Sequence, residues 1–295
     1  MKFNLSTSKI LTSAIFLWFL SFAAFAQTAA PQEKFATVFG TKIRYLEAGA
    51  TNQPTVILLH GLGGSADGWQ FNVAPLAARY HVIAPDQIGF GKSDKPLIAY
   101  RVETYVDFLD KFMAELKIER ASLVGNSMGG WVSAWYAIKN PTKVDRLVLV
   151  DAAGYAPPKD FDQKLLDALN PSTREGTREL VKRIFFNQLL FGNDVAIDTF
   201  ITARIAANDG YTIQSLIESI KRGEGYFDRR VSEIKQPTLI IWGKQDGLVT
   251  LENGEHFKRD IANSRLVVFD QCGHVPQIEK AKDFNDAVLK FLDNK

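Results

Sequence analysis

From Phe35 onward the hydrophobic positions change period repeatedly, and the changes lay out strands alternating with helices. Thr37-Val-Phe39 and Lys42–Leu46 predict an opening hairpin around Gly40-Thr41. Thr55–Leu59 is an unbroken apolar run, the pattern of a strand covered on both faces of its sheet. His81–Ala84, Ala121–Val124, Arg146–Val150, Thr238–Trp242 and Arg265–Phe269 read as further strands. Helical spacing lies between them: Pro75–Arg79, Val102–Leu116, Trp131–Ile138, Glu252–Ile261 and Ala281–Leu292. In Val102–Leu116 the apolar face is carried by Val106, Leu109, Phe112, Met113 and Leu116. Such alternation predicts an α/β chain with a mostly parallel twisted sheet flanked by helices.

One stretch, residues 155–230, departs from the pattern. It opens on Pro157-Pro158 and holds no strand-like apolar run. Leu165, Leu166 and Leu169, then Leu180, Ile184, Leu189 and Leu190, then Ile197, Ile201 and Ile205, then Ile213, Leu216, Ile217 and Ile220 keep helical spacing. Ser172-x-x-Glu175 fits a capping box. A helical insertion between strands of a parallel sheet predicts a cap over the strand ends, where such sheets bind ligands. Phe161, Phe185, Phe186, Phe191 and Phe200 are expected to fill it and to wall a greasy pocket. Its basic residues Arg174, Arg178, Lys182, Arg183 and Arg204 are expected to face solvent.

The N-terminus belongs to no core element. Lys2 and Lys9 form a basic region, Ile10–Leu20 an apolar one, and Ala24-Phe-Ala26 a small-x-small cleavage pattern. This reads as a signal peptide, residues 1–26, cut before Gln27, leaving an exported periplasmic or secreted protein without a stable membrane span. The core is then 27–154 with 231–295, interrupted by the cap. Of 295 residues 46% are hydrophobic and 23% charged, enough for a sizeable core. The formal net charge of +2 comes from Lys2 and Lys9, so the mature chain is neutral, and nucleic acid is not an expected partner. The single cysteine, Cys272, permits no internal disulfide.

Chemistry enters at Ala121–Gly130, which runs from strand through tight turn into helix. Gly125-Asn-Ser127-Met-Gly129 fits G-x-S-x-G, a serine held on a strained strand-to-helix turn. A serine hydroxyl needs a base, and the base an orienting acid. Of four histidines, His60 reads as a turn residue, and His81 and His256 as structural or solvated. His274 follows the last strand in Asp270-Gln-Cys-Gly-His274 and is the expected base. Asp246 and Asp151, each just past a strand, compete for the acid's role. Asp246 is preferred because the loop Gly243–Gly247 is free to present its side chain.

These motifs resemble the α/β-hydrolase superfamily along nearly the whole mature chain. The resemblance rests on His60-Gly-Leu-Gly-Gly64, Asp86–Asp94, Gly125–Gly129, Trp242–Asp246 and Cys272-Gly-His274. It implies Ser127 as nucleophile, Asp246 as acid and His274 as base. It also implies an oxyanion hole from the backbone N–H groups of Leu62 and Met128, with no cofactor and no metal. Ser127 argues against the epoxide hydrolases and haloalkane dehalogenases, which carry aspartate at the elbow. Asn126–Gly130 is similar both to secreted lipases and esterases related to monoacylglycerol lipases and to carbon–carbon bond hydrolases of aromatic ring cleavage. The latter commonly carry tryptophan after the base, where this chain has Val275-Pro276, and act on cytoplasmic catabolites. The expectation is therefore a serine esterase cleaving small-molecule acyl esters with lipophilic chains. The alternatives are a carbon–carbon bond hydrolase and, from another class, a catalytically silent binding protein on this scaffold.

Overall fold

A computed structural model describes residues 30–157, 164–227 and 230–294. The expected signal peptide, residues 1–26, lies outside them, as does Phe161. Eight strands form one sheet: β1 (Gln32–Val38), β2 (Thr41–Ala48), β3 (Thr55–Leu59), β4 (His81–Pro85), β5 (Ala121–Asn126), β6 (Val144–Val150), β7 (Thr238–Gly243) and β8 (Ser264–Phe269). Their order is β1-β2-β4-β3-β5-β6-β7-β8. The pairs β1–β2 and β2–β4 are antiparallel and all others parallel. The opening hairpin is longer than its apolar residues suggest, because β1 begins at Gln32 in an exposed polar stretch.

The unbroken apolar runs have a direct cause in packing. Ile57, Leu59, Leu123, Leu147, Leu149 and Ile240 point to one face, against α2 (Val102–Glu115) and α3 (Met128–Lys139). Val56, Leu58, Val124, Val148, Val150, Leu239 and Ile241 point to the other face. There they meet α1 (Val73–Ala77) and the C-terminal helix, whose Phe284, Val288, Phe291 and Leu292 keep one helical stripe. Alternate side chains of one strand thus belong to two cores, and neither set can be polar.

Between β6 and β7 the described residues are helical: α4 (Lys164–Asp167), α5 (Arg174–Ile184), α6 (Gln188–Phe191), α7 (Asp194–Ala207) and α8 (Gly210–Lys221). α5 is capped one residue later than Ser172-x-x-Glu175 implies. Thr173 is extended and its hydroxyl accepts from Gly176 N at 3.0 Å, a cap worth about 1 kcal/mol. Helical spacing also overstated burial here. Leu189 is 93% and Ile205 74% exposed, because the insertion is thin and packs inward through Leu180, Val181, Ile197, Ile213, Leu216 and Ile217. α9 (Leu251–Asp260), α10 (Pro276–Glu279) and α11 (Ala281–Asp293) follow β7 and β8. No helix among the described residues is long and apolar enough to cross a membrane.

Candidate active site

The carboxyl ends of β3, β5, β7 and β8 carry the five residues singled out above. Ser127 occupies the turn between β5 and α3 at φ 54° and ψ −116°, a conformation that costs roughly 1–3 kcal/mol for a residue with a side chain. Its surroundings hold it there. Ser127 N donates to Val150 O at 2.9 Å, and Ser127 O accepts from Trp131 N and Ala153 N at 3.0 and 3.2 Å. A Cβ at Gly129 would lie 2.1 Å from Leu59 O, so α3 can start this close to β3 only with glycine there.

His274 Nδ1 lies 2.7 Å from Asp246 Oδ2, and both residues are buried. The other carboxylate oxygen, Asp246 Oδ1, accepts from Leu248 N at 2.7 Å and Val249 N at 3.0 Å. Three donors on one carboxylate fix its plane and leave His274 Nε2 as the ring's free edge. Asn126 Nδ2 donates to His274 O at 3.0 Å and to Val150 O at 3.2 Å. It pins the base loop to the strand that bears the serine. That role was hidden in the sequence, where Asn126 carried family resemblance but no structural task.

Asp151, the competing acid, is brought beside Asp246 and His274 but does another job. Its Oδ1 accepts from Gly243 N at 2.9 Å, and its Oδ2 is buried with no partner among the described residues. Burial, with the neighbouring charge of Asp246, raises its pKa well above the ordinary carboxylate range. A carboxyl whose ionisation is disfavoured in this way is a poorer partner for an imidazolium. In the sequence each acid simply follows a strand, and only the glycine-flanked loop Gly243–Gly247 favoured Asp246.

His60 has both ring nitrogens engaged, Nδ1 with Gly61 O at 2.8 Å and Nε2 accepting from Gln87 N at 3.0 Å, and burial lowers its pKa. It braces the loop Gly61–Gly64. His81 Nε2 lies 2.6 Å from Glu47 Oε1. His256, expected to be structural or solvated, packs edge-on against Tyr155 and is among the residues lining the cavity.

Ser127, His274, Leu62 and Met128 line one cavity of about 1390 Å³ between the strand ends and the helices of residues 164–227. Neither Leu62 N nor Met128 N has an acceptor among the described residues. The arrangement offers a serine hydroxyl, an oriented imidazole and two free N–H donors in one place, which suits attack on a carbonyl carbon. Phe185 and Phe200 line the cavity, and Leu165, Leu169, Leu180 and Ile213 are among its other apolar residues. Phe191 stacks behind Phe185 at 4.0 Å and Phe186 is 43% exposed, so fewer phenylalanines reach the pocket than expected.

The cations divide in two. Arg174 and Arg178 pair with Asp194, and Lys182 with Glu179, at the surface as expected. Arg183 and Arg204 line the cavity, against expectation. Arg204 Nη1 lies 2.6 Å from Asp209 Oδ1 and donates to Gly63 O at 3.4 Å, directly over the His60–Gly64 loop. Its Nε and Nη2 have no partner among the described residues. Helical spacing alone cannot say which basic stem turns inward.

Comparison with known proteins agrees with this geometry. The family described as alpha/beta hydrolase fold matches residues 54–191 and 200–281. A 2-hydroxy-6-oxononadienedioate/2-hydroxy-6-oxononatrienedioate hydrolase of Cupriavidus pinatubonensis is 37% identical over 81% of this chain and 87% of its own length. The solved meta-cleavage product hydrolase of Pseudomonas fluorescens IP01 superposes with a TM-score of 0.80 at 30% identity, over 88% of this chain and 97% of its own. A membrane phospholipase A described as a bacterial virulence factor also superposes at 0.80 and 30%, over 90% and 86%. Backbone likeness therefore does not discriminate between the chemistries.

The sequence comparison does discriminate, and it corrects the expectation of a lipophilic-ester hydrolase. Several of the similar curated proteins are, by name, hydrolases of dienedioates and related dienoic acids, while another, 32% identical over 90% of this chain, is the acetyltransferase component of an acetoin cleaving system. The expectation rested on the missing tryptophan after His274, on export away from cytoplasmic catabolites and on solvent-facing cations. Val275-Pro276 leaves the base and its acid in place, and Arg204 faces the cavity.

Proposed function

We propose that this chain, which belongs to the α/β-hydrolase fold family and is a hydrolase, cleaves a carbon–carbon bond of a 2-hydroxy-6-oxo-dienoate, with Ser127, His274 and Asp246 as its catalytic residues. The observation that carries the reading is Arg204, a cation in the cavity wall above the oxyanion loop, where a substrate carboxylate would meet it. A lipophilic ester has no use for a guanidinium in its pocket. An acidic dienoate requires one.

The chemistry follows from the geometry. Ketonisation moves the enol proton from O2 to C5, so that C5 becomes a leaving carbon conjugated with the C2 carbonyl. Ser127 Oγ, losing its proton to His274 Nε2, adds to the C6 carbonyl, and Leu62 N and Met128 N hold the resulting oxyanion. Collapse breaks the C5–C6 bond. Its electron pair passes into the dienolate, which takes the proton back from His274. The C6 fragment stays as an acyl ester of Ser127 until water, deprotonated by His274, releases it as a carboxylic acid.

Residues 155–230 act in this proposal as the cap that closes over the substrate. Residues 1–26 remain an export signal, cleaved before Gln27. The substrate class is tested by steady-state kinetics of the purified protein on a 2-hydroxy-6-oxo-dienoate, followed by loss of its visible chromophore, against nitrophenyl butyrate. Specificity (kcat/KM) for the dienoate is expected to exceed that for the ester at least tenfold. The reverse order would sink the proposal.

A further inference from the structure

Cap and catalytic base meet at one side chain outside the cavity. The corner between α5 and α6, residues Phe185 to Asn187, lies against the loop that carries His274. Glu279, at the end of α10, sits between them. Its Oε1 accepts from Gly273 N at 2.7 Å, and its Oε2 accepts from Phe186 N at 2.9 Å and Asn187 N at 3.1 Å. One carboxylate therefore satisfies three backbone donors, one next to the base and two in the cap. Backbone bonds run alongside it. His274 N donates to Ile184 O at 2.7 Å, and Gly247 N, beside the acid Asp246, donates to Arg183 O at 3.1 Å. The approach is close enough that a Cβ on Gly273 would stand 2.2 Å from Ile184 O.

Position in the chain makes this more than loop packing. Phe185, adjacent to the two cap donors, lines the cavity, and Ile184 and Arg183 line it too. The base and the wall that the substrate presses on are thus held by the same carboxylate. We infer that Glu279 is a positioning residue that couples the cap to the catalytic base: it keeps His274 in register with Ser127 only while the α5–α6 corner is seated. The inference rests on Ser127 and His274 being the catalytic pair, and not on which substrate they cleave. Carboxylate hydrogen bonds to backbone N–H groups are short and strong, and an amide cannot replace all three. In Glu279→Gln one arm keeps an acceptor oxygen, while the other presents an NH₂ to an N–H donor.

The test is Glu279→Gln, with Glu279→Asp as a second variant that keeps the charge but shortens the arm by one methylene. Three readouts are taken well below the melting temperature: amide exchange at Phe186 and Asn187, kcat and KM separately, and the rate at which a small fluorophosphonate labels Ser127. The phosphonate makes the result independent of the proposed substrate, since it reports Ser127 and His274 even if no dienoate is cleaved. Exchange at both amides is expected to rise about tenfold or more. The labelling rate and kcat should fall about tenfold, and KM should rise, with Asp falling between Gln and the native residue. Exchange and labelling within twofold of the native protein would overturn the inference. Faster exchange with unchanged labelling would also overturn it, because Glu279 would then hold the cap without reaching the base.

Discussion

Asp246→Asn is expected to lower turnover by about four orders of magnitude while leaving the fold intact, as the loss of the orienting acid does in other serine triads. In the native site His274 Nδ1 faces Asp246 Oδ2 at 2.7 Å, and Asp246 Oδ1 is held by two backbone donors. Asparagine keeps the shape and some of these bonds. It presents either N–H to N–H or an uncharged oxygen to the imidazole, which favours the wrong tautomer and gives up the stabilisation of the imidazolium. A factor of ten thousand corresponds to about 5 kcal/mol in the barrier. Asp151→Asn is the contrasting variant. Burial raises the pKa of Asp151, so the amide resembles the favoured neutral form of the native group, and asparagine tolerates its φ of 43°. Activity should stay within about tenfold.

The pH dependence of stability reports on Asp151. The folded pKa of Asp151 is raised above its unfolded value, so the native protein binds a proton there that the unfolded chain has released. Stability from this group is present below about pH 4 and declines as pH rises toward the folded pKa, by at most about 1.4 kcal/mol per unit. Asp151→Asn should flatten that decline in thermal melts. A large activity loss in Asp151→Asn, with Asp246→Asn near native, would exchange the two roles.

Arg204→Gln is expected to lower specificity for a dienoate carboxylate about 100-fold, and to change that for its C1 methyl ester less than about threefold. Removing one member of a desolvated charge pair costs roughly 2–5 kcal/mol, and only the carboxylate forms such a pair. The variant also releases Asp209, whose side chain is fully buried. Burial raises the pKa of Asp209 against the pull of Arg204, and loss of the arginine raises it further. Arg204→Lys, which keeps a cation beside Asp209, should fold normally and recover only part of the activity, because an ammonium lacks the planar fork. Equal losses on acid and methyl ester would remove Arg204 from substrate recognition.

The fold was legible where physics acts on every residue of an element. Thr55–Leu59 and Thr238–Trp242 read correctly as strands because both of their faces are buried. Helical spacing in residues 155–230 located helices but not their inner sides. Ile213 and Ile205 keep the same kind of spacing, yet one is 1% and the other 74% exposed. The same limit hid Arg204: inward and outward arginines differ in tertiary context and not in period. The serine, histidine and acid could be singled out because each sits at the end of a strand. Asn126 and Glu279 could not, since what they do is bond backbone groups that are distant along the chain. The substrate class was misread for a related reason. One position after His274 does not decide it, because Val275 is one of many residues that line the cavity, from the core and the cap alike.

The central claim is that Ser127 attacks a ketone and a carbon–carbon bond breaks. It is tested most directly by rapid acid quench of the protein with 2-hydroxy-6-oxononadienedioate, followed by mass spectrometry of the products and of the peptide bearing Ser127. The account predicts equimolar 2-hydroxydienoate and carboxylic acid, with a transient acyl adduct on Ser127 that carries the fragment from the 6-oxo side. Recovery of the dienedioate uncleaved, by a preparation that Ser127-directed fluorophosphonate labels fully, would contradict it.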